Sequence, residues 1–220
     1  MRIIELSHPI EPGMPTYPGL PAPTWSTVTS RADSERRLGT GVSFDISAVD
    51  IVANTGTYLD APWHYHEELP DLVSLPVERL VDVPVVVVEA PGGGPIGPET
   101  LGELARLSGA AVLLHTGWSK HWGTPEYAAE GRTPHLSAAA VLSLLRARPA
   151  LVGLDAHNVD DTRDPTRPAH HGLLRAGIPI IEHLTGLDAL PETGARLTAL
   201  PPPIRGLGSF PVRAIAVLPE

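Results

Sequence analysis

The chain of 220 residues contains no cysteine, and that absence removes several classes of chemistry. Without thiols there are no disulfide bridges, no thiolate nucleophile and no cysteine-ligated zinc. Lys120 is the only lysine among the 16 basic residues, so a Schiff-base mechanism would depend on that one side chain.

Long apolar runs and clusters of positive charge are missing as well. No stretch approaches the ~20 apolar residues of a membrane span, and a charge interrupts the only apolar run near the N-terminus, unlike in a signal peptide. The formal net charge is −9 and no Lys/Arg cluster offsets it, so binding to nucleic acid is not expected. We expect a soluble, cytoplasmic protein that acts on a small molecule and contacts neither nucleic acid nor membrane.

Apolar periodicity predicts a layered α/β structure without internal repeats. The predicted strands cover residues 2–6, 42–52, 84–90, 110–115, 150–154, 178–181 and 211–218. Helices are predicted over 99–107, from the N-cap Ser137 to Arg146, and over 171–176. Strands and helices alternate from about residue 84 onward, which is typical of the α/β class.

The densest set of reactive side chains lies between Asn54 and His64. Because side chains alternate between the two faces of a strand, Asn54, Tyr58 and Asp60 are expected to share one face. A turn at Pro62 would then carry His64 back towards that face. An amide, a phenol, a carboxylate and an imidazole would converge there, which indicates a reaction centre.

A second set of reactive side chains occurs more than 100 residues further along the chain, at His170 and Glu182. Taken alone, Glu182 is a strand-end acid that faces solvent. Beside Asp60 and His64, however, a carboxylate and an imidazole from a distant segment make a metal site or an acid–base set.

Two further histidines leave alternatives open. His66 follows His64 at a spacing that also suits a His-x-His metal pair. His157 follows a predicted strand that ends at Asp155, an acid that either caps a turn or lines the pocket, and we favour the structural role. We predict that His157 and the aromatic Trp63 contact the substrate.

With these residues in view, the chain resembles the cyclase family that contains the bacterial kynurenine formamidases and isatin hydrolases. The family motif is His-x-Gly-Thr-His-x-Asp-x-Pro-x-His, and residues 54–64 here read Asn-Thr-Gly-Thr-Tyr-Leu-Asp-Ala-Pro-Trp-His. Further similar blocks span nearly the whole chain: 6–10, 17–19, 115–118, 153–156, 170–182 and 208–214. The resemblance implies one domain over 1–220 with the swivelling β/β/α type of α/β fold, assembled as a homodimer or homotetramer.

The resemblance also implies roles for individual residues, and it exposes a departure from the motif. Asp60 matches the shared metal carboxylate, His64 matches the acid–base histidine, and His170 with Glu182 matches the second metal set. Asn54 and Tyr58 replace the two motif histidines that hold the first metal. An amide is a weak zinc ligand and a phenol titrates near 10, so we expect the first metal site to be absent.

Three readings follow from this departure. In the first, the metal site is degraded: Asn54 and Tyr58 donate hydrogen bonds to the substrate, while His64 and Asp60 do acid–base chemistry (cyclisation, dehydration or ring opening) on a small carbonyl compound. In the second, one zinc or manganese ion on Asp60, His170 and Glu182 supports hydrolysis of an amide, formamide or lactam. In the third, the protein binds a ligand without catalysis.

Overall fold

The computed structural model describes residues 1–15 and 17–219. The strands are β1 (Arg2–Glu5), β2 (Thr24–Thr29), β3 (Ile46–Asp50), β4 (Tyr58–Asp60), β5 (Val83–Glu89), β6 (Pro95–Ile96), β7 (Ala111–His115), β8 (His135–Leu136), β9 (Leu151–Leu154), β10 (Ile180–Glu182), β11 (Thr193–Thr198), β12 (Ser209–Pro211) and β13 (Ile215–Leu218). The α-helices are α1 (Arg31–Leu38), α2 (Ala138–Ala147) and α3 (Pro168–Arg175).

Nine of the strands form one mixed sheet, in the order β1-β13-β11-β5-β7-β9-β10-β4-β12. The central strands β5, β7, β9 and β10 run parallel to one another. Antiparallel strands extend the sheet on both sides, with β11, β13 and β1 beyond β5 and with β4 and β12 beyond β10. The class is therefore mixed α/β, as predicted.

Both faces of the central strands are buried, which explains the unbroken run of valines in β5. Val86 and Val88 pack into the cluster that α2 and α3 cover. Val85 and Val87 point into a second cluster, which contains Leu59 of β4 and other residues from strands at both ends of the sheet. The sheet thus curls so that its outer strands cover its own centre. Each buried valine contributes about 1.5–3 kcal/mol relative to exposure.

Three sequence predictions differ from the observed elements. The helix predicted over 99–107 is wrong: two 3-10 turns, Pro98–Leu101 and Leu104–Leu107, flank Gly102, whose positive φ of 64° interrupts helical geometry. The strand predicted over 42–52 is shorter, and its residues are exposed in a two-stranded ribbon of β2 and β3. The strand predicted over 211–218 divides into β12 and β13.

In the described part of the chain, the helices are all too short or too polar to cross a membrane.

Candidate active site

Strand register brings the two distant sets of reactive side chains together. β4 lies between β10 and β12, so that Tyr58 is opposite Glu182 and Asp60 is opposite Ser209. Directly opposed side chains in an antiparallel pair lie close enough to interact. The Tyr58 hydroxyl accordingly donates a hydrogen bond to Glu182 Oε2, and the Ser209 hydroxyl donates one to Asp60 Oδ1.

Asp60, His170 and Glu182 form a buried triad whose ligand atoms all lie within 4.8 Å of one another. His170 Nε2 is 3.5 Å from Asp60 Oδ2 and 3.5 Å from Glu182 Oε1. These distances are long for hydrogen bonds. Asp60 Oδ2 is buried and has no hydrogen-bond partner among the described residues. An unpartnered carboxylate oxygen beside a second carboxylate and an imidazole nitrogen fits a cation that all three would bind.

Asp160 orients the imidazole of this triad. His170 lies in the first turn of α3, and its Nδ1 is 2.7 Å from Asp160 Oδ2. The same carboxylate accepts the backbone N–H groups of Ala169 and His170, so it also caps the helix. A carboxylate on one ring nitrogen, with the other directed at a candidate ion position, is the arrangement seen around metal-bound histidines.

The electrostatics of the triad are set by three carboxylic acids that are buried close together. Asp60, Asp160 and Glu182 are fully buried, and His170 lies between them, with its Nδ1 at Asp160 and its Nε2 3.5 Å from the other two carboxylates. Burial opposes the imidazolium, but the charges of Glu182 and Asp60 and the hydrogen bond to Asp160 outweigh it and raise the pKa of His170 to about 10. Burial also raises the pKa of Glu182 to about 7. A divalent cation would replace the protons that these groups otherwise retain.

Asn54 and Tyr58 lie beside this triad, where the sequence predicts them. Burial and the charges of Glu182 and Asp60 raise the pKa of Tyr58 well above its usual value, so the phenol stays protonated. Its one proton is used in the bond to Glu182. Asn54 Nδ2 is 3.5 Å from Asp60 Oδ1.

His64 is at the open side of the site, at the end of a 3-10 turn over Pro62–His64. Its Nε2 is 3.8 Å from Asp60 Oδ1, and about a third of its side chain is exposed, 33%. His66 lies elsewhere: its Nε2 is 3.0 Å from the backbone oxygen of His171. The geometry thus pairs His64 with Asp60 and does not bring His66 to the ion position.

Two cavities share Tyr17 and Asn54, and one of them reaches His170 of the triad. The first, here called the reaction cavity, has a volume of about 190 Å³. In addition to the shared pair, it is lined by Leu20, Tyr58, His64, Tyr65, Asn158, Arg167 and His170. The second, the aromatic cavity, has a volume of about 50 Å³ and its walls include Trp122, Tyr127, His157 and His183. Gly56 also lines it, and its positive φ of 64° disfavours any side chain there.

Of the two residues predicted to contact substrate, one lines a cavity and the other does not. His157 stacks on Tyr17 with ring centroids 4.9 Å apart, and burial lowers its pKa to about 4, so it is neutral at neutral pH. Trp63 is absent from the walls of both cavities; it is the half-buried middle residue of the turn over Pro62–His64. Asp155 accepts the backbone N–H groups of Thr116 and Gly117, which is the structural role we favour for it.

Several residues at the site carry no local signal in the sequence. Trp122, Tyr127 and His183 pack edge to face or tilted around the aromatic cavity, and the Tyr127 hydroxyl is 2.9 Å from His183 Nδ1. Asp160 and Ser209 contact the triad from other elements. Of these residues, His183 alone could be picked out from the sequence, because it follows Glu182 directly.

Comparison with known proteins identifies a consistent set of relatives. The Cyclase family model, described as "Putative cyclase", matches residues 4–161. A kynurenine formamidase of Salinibacter ruber is 30% identical over 220 residues, which cover 98% of this chain and 97% of that protein. A kynurenine formamidase of Maricaulis maris is 29% identical and covers 97% of both chains.

Solved structures agree with this set over the whole length. Isatin hydrolase A from Labrenzia aggregata superposes with a TM-score of 0.86 at 25% identity, covering 100% of this chain and 94% of that one. A structure described as a potential metal-dependent hydrolase with cyclase activity superposes with a TM-score of 0.79 at 25% identity, covering 98% of this chain and 96% of the other.

Proposed function

The chain belongs to the cyclase family and is an enzyme of its kynurenine formamidase-like branch, and on this premise we propose that it hydrolyses a small amide, formamide or lactam with a single divalent metal ion. The observation that carries the proposal is the unpartnered Oδ2 of Asp60, which lies within the triad of Asp60, His170 and Glu182. Zinc and manganese are the candidate ions.

A divalent ion on this triad would polarise the substrate carbonyl and make a neighbouring water more acidic. His64 lies on the open side of Asp60, where it can accept the proton of the attacking water as its oxygen bonds to the carbonyl carbon. When the carbon–nitrogen bond breaks, His64 returns that proton to the leaving nitrogen. Asp60 stabilises the imidazolium in between, because its Oδ1 is 3.8 Å from His64 Nε2.

The hydrogen bonds of Asn54 and Tyr58 favour a site for one ion rather than two. In the family motif both positions are histidine, whereas here the Tyr58 proton is committed to Glu182 and the Asn54 amide lies 3.5 Å from Asp60. Hydrogen bonds to these two carboxylates replace the stabilisation that a first metal would supply. They leave Asp60 Oδ2 and His170 Nε2 for one ion.

Metal analysis tests this proposal directly. Purified protein should contain about one equivalent of zinc or manganese, chelation should abolish hydrolysis of N-formylkynurenine or isatin, and the ion should restore it. His170→Ala should lose the metal, whereas His171→Ala, whose side chain lies on the exposed side of α3, should retain it. The double variant Asn54→His/Tyr58→His should bind a second equivalent.

The second candidate is metal-free acid–base chemistry by His64 and Asp60, such as cyclisation, dehydration or ring opening of a small carbonyl compound. Its supporting observation is that Tyr58, Ser209 and Asn54 already engage the carboxylates of the site. Full turnover of rigorously metal-free protein would establish this candidate and reject the first. Assembly as a homodimer or homotetramer also remains a proposal. Light scattering, which gives the mass of the protein in solution, would test it.

A further inference from the structure

We propose that the Tyr65 hydroxyl donates a hydrogen bond to the carbonyl oxygen of the substrate at the wall of the reaction cavity. Tyr65 is then a catalytic residue, because that oxygen gains negative charge when the carbonyl carbon is attacked. The inference deepens the proposed function and rests on it insofar as the cavity receives a carbonyl compound. It adds a donor that serves either candidate chemistry, with or without a metal ion.

Tyr65 lies against the two imidazoles on which the proposed reaction depends. Its ring stacks on that of His170, with centroids 5.0 Å apart and an interplanar angle of 17°. It also meets the His64 ring edge on, with centroids 5.2 Å apart. The Tyr65 backbone N–H donates to the oxygen of Pro62, which closes the 3-10 turn that carries His64. The phenol is therefore held beside both the candidate metal ligand and the acid–base residue.

The hydroxyl of Tyr65 has no hydrogen-bond partner in the part of the chain that the structure describes. Two other phenols of the site are already engaged: Tyr58 donates to Glu182, and the Tyr127 hydroxyl bonds to His183. The Tyr65 residue is 39% exposed, so a molecule in the cavity can reach it. A phenol without a partner on a cavity wall is available to donate to a ligand.

The surroundings of Tyr65 keep its proton in place. Burial raises the pKa of Tyr65 to about 12, and the positive charge of Arg167 opposes this shift only in part. The three buried carboxylates of the site act in the same direction as burial. The phenol is therefore neutral at neutral pH, and it donates a hydrogen bond to the substrate without giving up its proton.

Tyr65 supplies the hydrogen bond that the sequence assigns to Asn54 and Tyr58. Both of those side chains are directed at the carboxylates of the triad instead of at the cavity. Tyr65 follows His64 directly in the chain, so the donor and the acid–base group come to the substrate from the same turn. A fixed donor beside the proton-transfer group is the arrangement that stabilises an oxyanion.

A matched pair of probes tests the inference without turnover. Calorimetry would compare oxindole, which carries a lactam carbonyl, with indoline, which has the same ring system without it, on metal-loaded and on chelator-treated full-length protein. Tyr65→Phe removes only the hydroxyl, and it should weaken oxindole ~3–10-fold and change indoline less than about 2-fold. His66→Gln is the control, since it alters the next side chain, which lies outside the cavity wall, and it should change neither probe.

Turnover provides a second readout that separates catalysis from binding. With a substrate that the protein hydrolyses, Tyr65→Phe should lower kcat ~10-fold or more and change KM less than about 3-fold, because the hydrogen bond strengthens as the oxygen gains charge. A raised KM with an unchanged kcat would overturn the catalytic role and assign Tyr65 to substrate binding alone.

The probe measurements also contain the results that would overturn the inference. Equal losses for both probes in Tyr65→Phe would assign a packing role to Tyr65, and an unchanged affinity for oxindole would reject the hydrogen bond. An unaltered protein that binds oxindole no better than indoline would reject it as well. Because these measurements involve no hydrolysis, failure of the proposed function is distinguishable from failure of this inference.

Discussion

Tyr58 and Asn54 show how two single residues change the capacity of a site. Imidazole offers a neutral nitrogen to a metal, whereas a buried phenol keeps its proton and an amide has a weakly coordinating oxygen and an NH₂ group that donates hydrogen bonds. In this protein both side chains therefore bond to the carboxylates that a metal would otherwise contact. Neutral hydrogen-bond donors thus stand where the family motif has two histidines, which supports the proposal of one ion rather than two.

Both candidate functions require His64 for proton transfer. The variant His64→Ala is expected to lower kcat/KM by at least ~10²-fold, because positioned proton transfer typically contributes 10²–10⁴-fold. Metal content and melting temperature should stay unchanged, since His64 is not part of the triad. The control is His115→Ala, an imidazole that pairs with Glu89 on another part of the sheet. Full activity of His64→Ala would remove it from the mechanism.

At the scale of elements, α3 contributes His170, the imidazole of the triad. Asp160 caps its first turn and holds the His170 imidazole, so one carboxylate fixes both the helix and its functional side chain. Arg167, immediately before the helix, faces the reaction cavity. The start of this helix therefore carries both a candidate metal ligand and a charged residue of the cavity wall.

Asp160→Asn tests that role of the helix start. Loss of the carboxylate leaves His170 Nδ1 with a weaker partner, and metal affinity is expected to fall ~10–100-fold. The weakened cap should also lower the free energy of unfolding by ~1 kcal/mol. Competition with a chromophoric chelator measures the first effect and urea unfolding the second. Asp161→Asn, which alters a solvent-side pair with Arg163, should leave metal affinity unchanged.

At the scale of the whole molecule, long-range contacts tie distant segments around the site. Asp71 accepts the backbone N–H of Gly206 at 2.8 Å and that of Ser74 at 2.9 Å. It thereby joins the segment after the motif to the loop before β12, the strand that carries Ser209. Gly208 in that loop fits directly against His64: a Cβ there would lie 2.5 Å from the His64 Cα.

The bond between Asp71 and Gly206 predicts a pH dependence of stability. The Gly206 and Ser74 bonds lower the pKa of Asp71 to about 2. Because the folded-state pKa lies below the unfolded value, the stabilisation is fully present above about pH 4 and is lost as the pH falls towards 2. Asp71→Asn should thus lower the urea midpoint at pH 7.

The difference between Asp71→Asn and the unaltered protein should shrink as the pH falls from about 4 to 2. Asp50→Asn, which changes an exposed carboxylate on β3, is the control and should have little effect on the midpoint at either pH. A difference in midpoint that stays constant over this range would contradict the assignment.

The sequence by itself determined the family, the α/β class, most of the central strands and the pairing of Asp60 with His64. These features are local: valine runs predict buried strands, and the four-residue spacing across Pro62 brings His64 to Asp60. The family resemblance is confirmed by a model match and by relatives along the whole chain. The catalytic and metal-binding roles assigned from that resemblance remain predictions.

Only the tertiary structure decided which distant groups share the site. The register of β4 against β10 and β12 pairs Tyr58 with Glu182 and Asp60 with Ser209. His170 of α3 and Arg167, the residue before the helix, line one cavity. The tertiary structure also left Trp63 out of the walls of both cavities. Periodicity specifies which face of an element is buried, but strand order and register depend on packing between segments more than 100 residues apart, which local pattern does not encode.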